Sequence, residues 1–86
     1  MSNDSEISRL RNLGEKTEVW LNEIGVFGLD DLRRLGSIEI YRLLRQRGYP
    51  VSLNLVYSIE GAISDTDWRE LSPQLRADLR DAIRRL

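Results

Sequence analysis

Hydrophobic residues recur at intervals of three and four along most of the chain, which is the spacing of one face of an α-helix. Valine, isoleucine and threonine are scattered and do not alternate with polar residues, so the sequence predicts no strand. Glycine and proline interrupt the periodic segments at short intervals. The pattern predicts an all-α fold, a single compact domain of five or six short helices with connections of about two to six residues.

The start of the chain predicts two short helices that form a hairpin. The first spans about 4–10, because Asn3 and Glu6 have the spacing of a capping box. The second spans about 15–24 and ends at Gly25, a position where glycine relieves a left-handed backbone. A tight turn between the two helices makes this start a helix–hairpin–helix-like unit.

The rest of the chain predicts four further helices and a turn. Ser37 is expected to be an N-cap, and Ser72 followed by Pro73 marks the start of the last helix. We divide the chain into an N-terminal lead with the first short helix, residues 1–9, and a helical domain, residues 10–86. The elements after the hairpin are predicted at about 29–35, 37–46 and 52–64, with a turn at 67–70 that carries Trp68 and a last helix from 73.

The helix predicted over 52–64 is apolar on most sides and therefore belongs in the middle of the fold. Its one charged residue, Glu60, needs a partner if it is buried, and we expect an arginine or a backbone group. A stripe of small and polar residues along the same helix could let another helix approach closely. The stripe consists of Asn54, Ser58, Gly61 and Asp65.

The amino-acid composition excludes several classes of function. The 86 residues contain no histidine and no cysteine. This excludes cysteine–zinc sites, disulfides, thiol nucleophiles and every mechanism that uses a histidine as acid or base. A chain of this length also leaves little room to enclose a reaction pocket. We therefore expect no enzymatic activity, no metal and no cofactor.

The hydropathy pattern predicts no membrane segment. The longest uncharged stretch, residues 48–59, is too short for a bilayer helix, which needs about 20 apolar residues. The polar, acidic N-terminus lacks the basic and apolar regions of an export signal. We expect a cytoplasmic protein with no membrane contact.

Charged residues are arranged in blocks. The formal net charge is −1 and the pI is about 5.4, so the chain lacks the overall basic excess of strong DNA-binding proteins. Acidic residues concentrate in 15–31, and basic residues in 33–47 and 76–86. All basic residues except Lys16 are arginine, which suits bidentate contacts with carboxylate or phosphate. Either the blocks pair with each other on solvated helix faces, or a basic face binds a partner.

The hairpin is the first candidate binding site. N–H groups of its turn and of the following helix start lack helical partners, and with the positive end of the helix dipole they form a phosphate site. However, only one of the two glycines of the common DNA-binding version is present, and Glu15 and Glu18 flank the site. The hairpin therefore either binds phosphate or merely packs two helices together. If the hairpin binds phosphate, the backbone N–H donors are those of Asn12, Leu13 and Gly14. The side chains that meet the phosphate are those of Arg9, Arg11, Lys16 and Thr17.

The second candidate is a basic face on the helix predicted over 37–46. Arg42 and Arg45 are three residues apart, so they share one side of that helix. Each arginine bound to phosphate would contribute to the salt dependence of the affinity. The alternative interpretation is a solvated helix face with no partner.

Several segments together resemble the C-terminal domain of the TfoX/Sxy family of competence regulators. The resemblance covers roughly residues 10–80, and its most specific part is the run Ser-Leu-Asn-Leu-Val-Tyr-Ser-Ile-Glu-Gly-Ala-Ile at 52–63. The hairpin also resembles that of the C-terminal domain of the RNA polymerase α-subunit, over a much shorter stretch. The other matching positions are Leu13-Gly14, Glu18, Leu21, Gly25-Val26, Leu32, Leu35-Gly36, Tyr41 and Trp68.

The resemblance implies an all-helical domain with a hairpin at its start, no catalytic residues, and a link to transcription of bacterial competence genes. Full-length members carry a separate N-terminal domain for which this chain has no room, so we expect either a stand-alone domain or a fragment, and Met1 followed by a short polar lead favours the stand-alone domain. Gly28 departs from the family, which often has a hydroxyl N-cap there, and this weakens the start of the helix predicted at 29–35.

Together these observations lead us to expect a non-catalytic regulatory module. Its expected partner is DNA, or a transcription regulator or RNA polymerase component bound to DNA, contacted through the hairpin. The alternative is a protein–protein interaction or homodimerisation domain with no direct nucleic-acid contact.

Overall fold

The computed structural model describes residues 5–86, and within this range every regular element is helical. This confirms the all-α prediction. The elements in chain order are a first 3₁₀ turn at Ile7–Arg9, α1 at Glu15–Glu23, α2 at Leu29–Leu35, α3 at Ser37–Gln46, α4 at Leu53–Ser64, a second 3₁₀ turn at Trp68–Glu70 and α5 at Pro73–Arg84.

The largest difference between the predicted and observed elements lies at the N-terminal end. The α-helix predicted over 4–10 is instead a single 3₁₀ turn, because Leu10 is already extended, with a ψ of 152°. Asn3, half of the predicted capping box, lies outside the described residues. The remaining α-helices begin and end within one residue of their predicted bounds, apart from the last, for which only the start was predicted.

α4 lies at the centre of the fold, as its apolar composition predicted. It packs against α2, α3, α5 and the second 3₁₀ turn, and Val56 and Ile59 are fully buried. Burial of apolar side chains is the dominant favourable contribution to folding. We call the larger buried cluster the main core. Its members are Ile7, Leu13, Leu21, Val26, Leu32, Ile40, Leu44, Leu55, Ile59 and Ala62.

α5 packs against α3 and α4 through a separate cluster, which we call the α5 cluster. The helix begins as predicted, since the Ser72 hydroxyl accepts the Leu75 N–H at 3.1 Å and Pro73 occupies the first turn. The buried residues of the α5 cluster are Tyr41, Val56 and Leu79, and Ile38, Val51, Leu53, Tyr57, Leu75 and Ile83 pack around them.

The start of α2 is capped by a residue that is distant in the sequence. Gly28 has no side chain to serve as N-cap, and the Leu29 N–H donates instead to Glu6 Oε2 at 3.1 Å. The Glu6 N–H also donates to the Phe27 carbonyl at 2.9 Å. A Cβ at residue 28 would lie 2.5 Å from Glu6 Oε2. Glycine therefore leaves room for the carboxylate that replaces the hydroxyl cap.

Two predictions about α3 and α4 are wrong in the same place. Ser37 is not an N-cap but the first residue of α3, and Gly36, with a φ of +83°, precedes it. The Ser37 hydroxyl is buried and donates to Glu60 Oε2 at 2.6 Å. Glu60 therefore pairs with a neutral hydroxyl rather than with the expected arginine or backbone group. The charge-assisted bond satisfies both polar side chains between the two helices.

Candidate functional site

The turn of the hairpin is fixed by the side chain of Asn12, which has a left-handed backbone with a φ of +73°. Its Nδ2 donates to the Thr66 carbonyl at 2.8 Å and reaches the Ser58 carbonyl at 3.5 Å. Its Oδ1 accepts the Trp68 N–H at 3.2 Å. Asn12 therefore joins the hairpin to α4 and to the second 3₁₀ turn. Asn12, predicted as part of the binding site, therefore also has a structural role that the sequence did not indicate.

Gly61 makes room for this junction. A Cβ on Gly61 would lie 2.3 Å from Asn12 Nδ2 and 2.5 Å from the Thr66 carbonyl oxygen, both far inside contact distance. The stripe of small and polar residues on α4 therefore admits the hairpin turn and the chain that follows α4. The expectation that another helix approaches along this stripe is wrong, because both atoms that meet Gly61 most closely come from turns.

The backbone N–H groups of the hairpin differ in whether they already donate a hydrogen bond within the protein. Leu13 is buried, and its N–H donates to the Leu10 carbonyl at 3.3 Å, so this group is committed inside the turn. Gly14 is exposed, is the N-cap of α1 and supplies no side-chain cap. The first N–H groups of α1 therefore stand uncapped by any side chain at the surface. The open part of the predicted phosphate site is the α1 start rather than the whole turn.

The three cations of the hairpin are exposed. Arg9 Nη2 donates to the Ser5 carbonyl at 3.4 Å, and the Lys16 ammonium lies 5.6 Å from the Trp20 ring centroid. Arg11 lies near enough to Asp67 to help hold the pKa of that carboxyl below its ordinary value, although Arg69 is the main cause. Within residues 5–86, no salt bridge involves Arg9, Arg11 or Lys16. The hairpin therefore carries three exposed cations, Arg9 in the first 3₁₀ turn, Arg11 in the hairpin turn and Lys16 in the first turn of α1.

Glu18, expected to repel a phosphate beside the hairpin, is engaged elsewhere. Its Oε2 accepts the Ser8 N–H at 3.1 Å. This backbone hydrogen bond is the main reason that the pKa of Glu18 lies below its ordinary value, with a hydrogen bond from the Ser5 side chain second. Glu18 therefore holds the first 3₁₀ turn against α1, which leaves Glu15 as the exposed acid at the start of α1.

In the second candidate, the basic face on α3, one of the two arginines is paired with an acidic side chain. Arg42 forms a bidentate pair with Glu39, with Nε–Oε1 at 2.9 Å and Nη2–Oε2 at 2.5 Å. The pair lowers the pKa of Glu39 and raises that of Arg42. Arg45 lies over the Tyr41 ring, 5.4 Å from its centroid. Only Arg45 keeps an uncompensated charge, so the two arginines do not form a strongly basic surface.

A groove of about 230 Å³ lies beside the hairpin, between α1 and the start of α4. Asn12 and Thr17 were predicted as site residues, but their position in a groove with later segments was not predicted. The periodicity of a sequence gives no sign of such a groove, because its walls come from four separate parts of the chain. We call it the α1–α4 groove. Its lining residues are Asn12, Thr17, Trp20, Pro50, Val51, Ser52, Asn54, Leu55 and Ser58.

Metal binding and membrane insertion find no support among the described residues. Within residues 5–86, no group of three or more acidic side chains is placed to hold a metal ion. Among the helices of that range, none has the length and apolar character needed to cross a bilayer.

The chain is similar to a known domain family and to two solved structures. The TfoX C-terminal domain family matches residues 3–83. An uncharacterised protein from Listeria monocytogenes, in a triclinic crystal form, has 26% identity and a TM-score of 0.81, with 86% of this chain and 84% of that chain covered. A Listeria monocytogenes protein of unknown function, in a tetragonal form, has 24% identity and a TM-score of 0.83, with 91% and 96% covered. No curated protein matches the chain.

Proposed function

The chain belongs to the TfoX C-terminal domain family, and from this premise we propose that it is a non-catalytic regulatory module that contacts DNA through its hairpin. The proposal includes contact with DNA that already carries transcription machinery, and a role in transcriptional control of natural competence. Membership in a family supports the regulatory part by analogy, whereas the contact itself is argued from the hairpin.

The observation that carries the proposal is the uncapped start of α1 next to exposed cations. The N–H groups there and the positive end of the helix dipole favour an anion, and Lys16 adds a full charge in the first turn. Arg9 and Arg11 lie in the residues that precede α1, are exposed, and form no salt bridge within residues 5–86. Contacts of such cations with phosphate would position the protein on DNA without reading sequence.

The experiment is a titration of labelled DNA with the protein, followed by fluorescence anisotropy at several salt concentrations. Replacement of a phosphate-binding cation reduces the slope of log affinity against log salt by about one. We expect Lys16→Glu to weaken binding roughly tenfold at low salt, uniformly across DNA sequences, and to flatten this slope. Unchanged binding by Lys16→Glu would contradict the hairpin assignment.

The matched control is Arg80→Glu, which changes the net charge by the same amount on the exposed side of α5. We expect its DNA affinity to change much less than that of Lys16→Glu, because its charge is not part of the hairpin. Equal losses in the two variants would mean that DNA responds to net charge alone. The experiment therefore separates a local contact from a general electrostatic effect.

The second candidate function is a protein-interaction domain. Val19 favours it, since this apolar side chain on α1 is 57% exposed. Phe27 in the following loop and Leu86 at the C-terminal end are each 45% exposed. Absence of DNA binding at low salt, together with a mass in solution of about twice the 10.0 kDa of one chain, would favour homodimerisation instead.

A further inference from the structure

We infer that the α1–α4 groove binds a single nucleobase of an unpaired DNA strand. The inference deepens the proposed function and rests on it in one respect, which is that the partner is DNA. The groove measures about 230 Å³, below the range of roughly 300–1,000 Å³ that encloses whole small-molecule ligands. Its size therefore suits one flat ring system with the rest of the nucleotide outside.

The lining of the α1–α4 groove is polar but uncharged. Thr17, Asn54 and Ser58 bring hydroxyl and amide groups, which both donate and accept hydrogen bonds. Ser52, the N-cap of α4, forms no capping bond with its hydroxyl. A base is neutral and presents donors and acceptors along its edge, which these groups can match. The chemistry of the lining therefore suits the edge of a base.

An aromatic side chain completes the groove. Trp20 lies in its wall and is held in place by Tyr49, with ring centroids 5.0 Å apart and an angle of 26° between the rings. Proteins that bind single strands use aromatic side chains of this kind as contacts for bases. Pro50 and Val51 add apolar surface on the side formed by the α3–α4 connection. Because Tyr49 stacks on the Trp20 ring and Lys16 lies over it, a base in the groove would contact the part of the indole that they leave free.

The groove adjoins the cations of the hairpin. The Lys16 ammonium lies 5.6 Å from the Trp20 ring centroid, and Asn12 of the hairpin turn belongs to the lining. A base in the groove would therefore carry its own phosphate past Lys16. In duplex DNA the edge of a base is occupied by its pairing partner, so this arrangement selects an unpaired strand. The hairpin supplies affinity for the backbone, and the groove adds preference for an exposed base.

The test compares oligonucleotides that have the same phosphates but differ in their bases. A single-stranded oligonucleotide, its abasic counterpart and a duplex are titrated against the protein, with two-dimensional NMR of the wild-type chain as readout. We expect at least fivefold tighter binding of the single strand than of the abasic strand or the duplex. We also expect shifts at Thr17, Asn54 and the Trp20 indole. Equal affinity for the normal and abasic strands would overturn the inference.

A pair of variants locates the effect. Asn54→Ala removes an amide from the groove, and Gln46→Ala removes an exposed amide at the end of α3, away from it. We expect Asn54→Ala to weaken binding of the single strand about fivefold and to leave binding of the abasic strand unchanged. Gln46→Ala is expected to change neither. Equal loss of both strands in Asn54→Ala would contradict a base contact.

Free nucleosides make the inference testable apart from the hairpin. 2′-Deoxyadenosine and thymidine carry a base and no phosphate, and we expect millimolar concentrations to shift the signals of the groove residues in wild type and in Lys16→Glu alike. If no oligonucleotide binds but nucleosides shift these signals, the proposed function fails and the groove assignment stands. If oligonucleotides bind through Lys16 but neither bases nor nucleosides affect the groove, the proposed function stands and this inference fails.

Discussion

The hairpin and α5 are attached to the rest of the fold by different mixtures of contact. The hairpin contributes three side chains to the main core and is also bonded through Asn12 to the chain around Thr66 and Trp68. α5 is held by an apolar stripe in which Leu79 is the buried residue. Hydrogen bonds fix direction and distance, whereas apolar contacts are non-directional. Asn12 therefore adds directional bonds to the apolar contacts of the element proposed to bind.

The largest expected effect tests the apolar attachment. Leu79 is 7% exposed, so Leu79→Ala removes a buried side chain and leaves a cavity, with an expected loss of about 3 kcal/mol in the free energy of unfolding. Leu86→Ala is the control, because Leu86 is 45% exposed and its truncation should change stability by less than about 0.5 kcal/mol. Urea unfolding followed by circular dichroism measures both. Equal losses of stability in the two variants would show that burial of Leu79 does not account for the attachment of α5.

The next effect tests the polar attachment. Asn12→Ala leaves the Trp68 N–H and the Thr66 carbonyl without their partner and places alanine at a φ of +73°. We expect a loss of about 2 kcal/mol. Asn12→Gly loses the same hydrogen bonds but tolerates the backbone, so the difference between the two variants isolates the conformational part. If neither variant were destabilised in urea, the hydrogen bonds of Asn12 would not be what holds the hairpin.

A smaller effect sharpens the comparison at the start of α5. Ser72→Ala removes the hydroxyl that accepts the Leu75 N–H, and N-cap losses of this kind amount to about 1 kcal/mol. Ser72→Asp keeps an acceptor and should retain most of the stability. The midpoint of thermal unfolding distinguishes the two variants. A loss as large as that of Leu79→Ala would show that a directional bond contributes as much to α5 as its apolar stripe.

The smallest expected effect concerns pH. The pKa of Glu18 is lowered in the folded state, chiefly by the Ser8 N–H, so its contribution to stability is present above its ordinary carboxyl pKa of 4.5. It is lost as pH falls through the lower folded value. Glu18→Gln should therefore be less stable than the wild-type chain at neutral pH, and the two should converge as the pH is lowered to about 3. If the free energies of unfolding of the two proteins differed by the same amount at every pH in this range, the charge of Glu18 would not be what holds the first 3₁₀ turn. Urea unfolding measures these free energies.

The comparison also shows which parts of the fold a sequence can predict. The start and the apolar face of α5 could be predicted because their sequence signals are local. Ser72 and Pro73 are adjacent, and the apolar stripe repeats within one helix. The attachment of the hairpin could not be predicted, because Asn12 bonds to residues 46, 54 and 56 positions away. Periodicity describes neighbours within an element and carries no information about such pairs.

The candidate site was also only partly predictable from the sequence. The cations and the glycine of the hairpin were identified from their order in the chain; in the structure Gly14 and Lys16 lie at the start of α1, and Arg9 and Arg11 lie in the residues that precede it. Half of the charge of the face predicted from Arg42 and Arg45 is compensated by Glu39, three residues before Arg42 on the same helix. That pair has helical spacing and was available to sequence reasoning. The α1–α4 groove was not, because Trp20 and Asn54 meet only in the folded chain.

The bonds of Asn12 also constrain the order in which the domain is completed during synthesis. A ribosome releases Asn12 early, but its partners extend to Trp68 in a chain of 86 residues. The turn that orients the proposed binding surface therefore cannot be locked until most of the polypeptide has emerged. A nascent chain interrupted before Thr66 would carry every cation of the hairpin and still lack the residues that Asn12 bonds most closely. The ability to bind is therefore a property of the nearly complete domain and not of the hairpin alone.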